Sequence, residues 1–334
     1  VTGTLTGNAS AISLGSLTIA SGGTYNATSG TTTITSESGA GYAANVDGTF
    51  THNNGTLTIT TPAHTYMSPI TPYNLIINHS SANVRYTGAP DSTMTIANDL
   101  TITAGVFDPD DGNENLTVTG DVSVTGTLGA SDVTSAMSFG SLTINSGGTY
   151  IATSGTTTIT GVSNEAFCFT TTGTFTHNKG TVKFFTDSTS MEMWIQSNVT
   201  FYDLEIDTAD NVRYQNTTVL GDLTVTDGSF LQYSDANTFT VHGNAFVEAD
   251  GSLGASNQTG AVTYHGLITN KGTFSTGSGT NKFNGGVRNL GTFTSNDTFS
   301  IEGTGAILEG PLDDAAINVN LEPALQFGLD ASGD

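Results

Sequence analysis

The feature that most constrains this chain is internal repetition. Gly15 to Thr60 returns as Gly140 to Phe185, without a gap, at a spacing of 125 residues. Inside each copy a shorter unit recurs: a glycine and a hydroxyl residue, then alternating apolar and hydroxyl positions, as in Gly15-Ser16-Leu17-Thr18-Ile19 and Gly30-Thr31-Thr32-Thr33-Ile34. Alternation of period two closed by a turn is the pattern of a short strand. Such units, spaced about 7 to 9 residues apart, leave no room for helices of ordinary length and match the short coils of a β-solenoid. A unit this small cannot bury its apolar face alone, so it must stack on its neighbours. The expected fold is all-β: a parallel β-helix built from about two and a half copies of the 125-residue design.

The copies are read as 1–125, 126–250 and a degenerate 251–309. Gly126-Thr127-Leu128-Gly129 returns as Gly251-Ser252-Leu253-Gly254, and Gly272-Thr273-Phe274 and Gly291-Thr292-Phe293 echo the strong segment. Composition agrees, with 41 glycines against 7 prolines. Three of those prolines, Pro62, Pro69 and Pro72, mark 61–72 as a loop, because proline cannot donate to a strand ladder. Its counterpart, 186–198, carries Met191, Met193, Trp194 and Ile195, and reads either as a flap folded over the coils or as an exposed apolar contact surface. Repetition stops at Gly310. The segment 310–334 is read as a non-repeat tail whose Ile317, Val319 and Leu321 alternate, either one more strand of this stack or a strand offered to another subunit. At the other end, Val1 and Leu5 match the interior of the repeat pattern and are read as an open coil, the acceptor for such a strand.

Acidic residues outnumber Lys and Arg by 30 to 7, a formal charge of −23. This excludes nucleic acid and anionic membrane surfaces as expected partners, and no apolar run is long enough for insertion into a bilayer. The lone cysteine, Cys168, can form no intrachain disulfide and reads as a small buried hydrophobe. A glycoside hydrolase would need two carboxyls at a set separation. Glu205, Asp207 and Asp210 form one acidic group, but they read as solvated turns, and no catalytic residue is assigned: the chain is not expected to be an enzyme. Arg85 and Arg213 occupy equivalent positions and are expected to pair with nearby acids, Asp210 for example. His52 and His177 are likewise equivalent, each within Thr-His-Asn. No cofactor is required; one turn, with Asp108, Asp110, Gly112 and Glu114, offers oxygen ligands suited to calcium.

Tyr73-Asn74-Leu75-Ile76-Ile77, Gly120-Asp121-Val122-Ser123-Val124-Thr125-Gly126-Thr127-Leu128 and Gly221-Asp222-Leu223-Thr224-Val225-Thr226 carry a resemblance. They resemble the "YNLTI" and "GDLTVTGTL" strand repeats of large repetitive surface proteins of bacteria, archaea and their viruses, including adhesin stalks and virion fibres. The resemblance covers most of the chain and implies a β-helical role at a cell or virion surface, with no catalytic residue. The expected function is an extracellular or virion-surface structural protein that assembles with itself, end to end, into a fibre or stalk. The alternatives are a glycan- or receptor-binding adhesin fragment, with Tyr66, Trp194 and Tyr202 as stacking platforms, and, more weakly, a carbohydrate-active enzyme.

Overall fold

The computed structural model describes residues 1–89, 91–109, 113–129, 134–161, 167–196, 198–233, 237–254, 258–295, 299–301, 303–312, 317–319 and 326–327. They are all-β, without a helix, and their parallel strands stack as a β-solenoid of about 13 turns. The expected fold class holds. The chain divides into two units, Val1–Val162 with Thr171–Gly180, and Ser163–Thr170 with Thr181–Asp334.

In the first unit a coil supplies three strands, as Thr24–Asn26, Thr31–Ile34 and Tyr42–Val46 do. The next coil lays Thr49–Thr51, Thr56–Ile59 and Thr65–Met67 beside them in parallel. Because side chains alternate across a strand, every second residue falls into an interior row. One row runs Leu57, Leu75, Leu100, Val122, Leu142; its companion runs Ile34, Ile59, Ile77, Ile102, Val124, Ile144. All are 3% exposed or less, and burial of each such side chain contributes about 1.5–3 kcal/mol. Thr33, Thr58, Thr101, Ser123 and Thr143 take the opposite face and are half-buried, where β-branched threonine suits a pleated surface.

Residues 125 apart do the same work. The buried phenol of Tyr25 shares a hydrogen bond of 3.0 Å with the Thr32 hydroxyl, and Tyr150 shares one of 2.7 Å with Thr157. Burial pushes the Tyr150 phenol well above its ordinary range, against the smaller effect of the Thr157 bond. Gly48 and Gly173 explain the glycine-led units: a Cβ on either would collide with backbone carbonyls of the preceding coil, those of Ala20 and Gly23 or of Asn145 and Gly148. His52 and His177 brace equivalent turns, each accepting at Nδ1 from a backbone N–H two residues on, at Asn54 (3.0 Å) and Lys179 (3.1 Å).

In the second unit one interior row changes character: it begins Phe184, Ile206, Val225, Val247 and continues as Asn270 and Asn289. Both asparagines are fully buried. Asn270 Nδ2 donates to Asn289 Oδ1 (2.7 Å) and Thr292 O (2.9 Å), and Asn289 Nδ2 donates to Pro311 O (2.5 Å), so amides here bond along the stack where apolar side chains stood before. A second row, Phe230, Leu253, Phe274, Phe293, faces a third, Val219, Val241, Tyr264, Phe283. Their rings meet inside the coil, Phe274 and Phe283 at 5.6 Å between centroids.

Two strands after Gly310 take the first of the two readings of that segment. Ile317–Val319 pairs in parallel with Phe299–Ile301, and Gln326–Phe327 pairs with Ile307–Glu309, so both add to this chain's own stack. The reason is register: alternation places Ile317 beside Phe299 and Val319 beside Ile301, which continues the ladder. Leu321 lies outside the described residues. At the other end Thr4–Thr6 pairs with Thr24–Asn26, Leu5 is 42% exposed, and the Val1 ammonium donates to Thr18 O at 2.6 Å.

Candidate functional site

The outward surface of the second unit carries an aromatic cluster around Trp194. Met193–Gln196 is a regular strand of the stack, with Met193 and Ile195 buried inward, so alternation turns Trp194 out. Within 186–198, Met193–Gln196 thus runs as a strand of the stack and not as a flap over it, and its tryptophan stays partly exposed. Trp194 sits in register between Phe167 and Arg213 on the neighbouring coils. Its ring meets Phe167 edge-on at 4.9 Å and Tyr233 at 4.8 Å, and Tyr233 is 38% exposed. Below the rings, Glu192 accepts from Trp194 Nε1 through Oε2 (2.8 Å) and from Arg213 Nε through Oε1 (2.6 Å). The carboxylate is thus neutralised and fixed, and it holds the indole in one orientation.

No family model matches the chain, and neither a curated protein nor a solved structure matches it.

The other expected platforms stand elsewhere. Tyr66 belongs to the first unit, its ring 5.6 Å from that of Tyr42. Tyr202 follows Phe201 in a different column of strands from Trp194. Phe167 and Tyr233 were not legible as partners of Trp194, because they lie on different coils; the only signal that could find them is the coil period itself.

The turn read as a calcium site places two of its four residues within the described chain. Asp108 is buried and accepts from Arg85 Nε at 3.1 Å; Glu114 is buried and accepts the Gly88 N–H at 3.0 Å. Asp110 and Gly112 lie outside the described residues. Among the described residues no group of three or more His, Cys, Asp and Glu could hold a metal ion, and no helix is long and apolar enough to cross a membrane.

The basic residues act across coils. Arg213 pairs with Glu192 rather than with Asp210, whose Oδ1 accepts the Asn211 N–H instead. Lys183 donates to Glu205 (3.0 Å) and Asp207 (2.6 Å) on the next coil; burial depresses its pKa, but these two carboxylates outweigh burial and raise it. Lys271 pairs with Glu248 and Arg288 with Glu309 in the same manner. Two small cavities, one lined by Phe50, His52 and Tyr73 and one by Gln232, Tyr264 and Asn281, measure about 10 Å³ each, room for about one water. Neither holds a saccharide.

Proposed function

We propose that this chain is a structural solenoid of an extracellular or virion-surface fibre or stalk, in which the coils of one copy stack on those of the next. The observation that carries the reading is the pair of unbroken interior rows, Leu57 to Leu142 and Ile34 to Ile144, on parallel strands. Rows of this kind resist bending along the stack without a cofactor or metal, which is what a stalk requires. End-to-end assembly is supported by Thr4–Thr6. It pairs on one edge with Thr24–Asn26, and Leu5 within it is 42% exposed. A further copy packing on this strand would cover Leu5.

Leu5→Lys places a charge on that edge, a device that blocks strand addition. In light scattering across a concentration series the wild type should grow in mass. The variant should remain at lower mass, with an unchanged β-sheet circular dichroism spectrum. Equal masses for the two proteins would remove the edge from the account.

A further inference from the structure

Beyond this structural role, the geometry points to a saccharide-binding site on the outer face of the second unit, formed by Phe167, Trp194 and Tyr233 with Glu192 and Arg213, that takes a neutral oligosaccharide. Three rings from three coils form one chain, with Trp194 in the middle 4.9 Å from Phe167 and 4.8 Å from Tyr233. In their column the outward positions beside Trp194 are Arg213 and Leu231, with Asn211 and Ser229 next to them. Exposed aromatic surface rimmed by polar residues is the usual mark of a contact site, and Tyr and Trp combine an apolar body with a polar tip. The polar groups at its rim settle the ligand's charge. Glu192 and Arg213 are ion-paired at 2.6 Å, each about one-third exposed, so the site presents a donor and an acceptor side by side with no net charge. An anionic sugar would meet Glu192 and a chain of net charge −23; a cation would meet Arg213. A neutral polyol matches both groups: its hydroxyls accept from the guanidinium and donate to the carboxylate, while its C–H faces lie on the rings.

Trp194 is the only tryptophan, so its emission reports this site alone. The probes are the neutral hexaoses of glucose, mannose, galactose and N-acetylglucosamine, with a galacturonic acid hexamer and a heparin hexasaccharide as acidic counterparts. At least one neutral hexaose should give a saturable change in emission. Tyr233→Leu, which keeps apolar bulk but removes the ring, should weaken that binding about tenfold, and Trp194→Leu should abolish the heat of binding in calorimetry. Tyr202→Ala should leave affinity unchanged, with circular dichroism confirming the fold of every variant. Three results would overturn the inference: no saturable change with any neutral hexaose up to about 10 mM, saturation by the acidic probes only, or binding undiminished in both ring variants.

Discussion

Ile159 shows how much a single interior position decides. It closes the strand Thr156–Ile159 and is completely buried. Ile159→Asp would place an unpaired carboxylate in an apolar row, at a cost of several kcal/mol. The expected outcome is rapid proteolysis within the first unit; protease resistance equal to wild type would show that the row tolerates charge. His79 makes the unit sensitive to pH. It is buried, and burial lowers its pKa, with the Val106 carbonyl opposing and His64 adding to the effect. The neutral ring is thus favoured on folding: its contribution is complete above the unfolded value of about 6.5 and is lost as pH falls through the lower folded value. The urea midpoint should drop between pH 7.5 and 5.5 by more in wild type than in His79→Gln. Equal drops would assign the effect to other groups. Residue roles were unevenly legible. The direction of Ile159 follows from alternation, whereas the partners of Arg213 and Trp194 depend on coil register, which no local pattern encodes.

At the scale of the strand and turn, the glycine-led units were visible in the sequence, but their cause was not. Strand ends can be read from period two; the reason for glycine at Gly48 and Gly173 is the passage of one coil's backbone against the carbonyls of another. Gly173→Ala should therefore cost about 1–3 kcal/mol, the usual range for overpacking, although alanine is otherwise the better residue for chain entropy. A thermal midpoint at or above wild type would mean that the turn shifts to make room. The segment after Gly310 is the reverse case. Its alternation was legible, but the choice of partner strand was not, since an alternating hexapeptide pairs equally well with its own stack or another. Ile317 and Val319 lie in register beside Phe299 and Ile301.

For the whole molecule, each coil rests on its neighbours, and stability grows coil by coil through interior rows rather than through one central core. One interior row of the second unit turns from aliphatic to amide-bonded, where Asn270 and Asn289 replace the valines. Lys183, Arg213, Lys271 and Arg288 form cross-coil pairs, each exposed enough to contribute no more than about 1 kcal/mol. Fold class was legible because repetition and period two both demand stacking. The aromatic site was legible only at Trp194, because its other two rings come from other coils.

The central claim is that this stacking continues from one copy to the next. It is tested most directly by electron microscopy of the purified chain over a concentration series, with diffraction from aligned samples. The account predicts filaments that lengthen with concentration and carry an unbroken axial repeat of about 4.8 Å, the spacing of hydrogen-bonded strands. Discrete particles of one length at every concentration would contradict it.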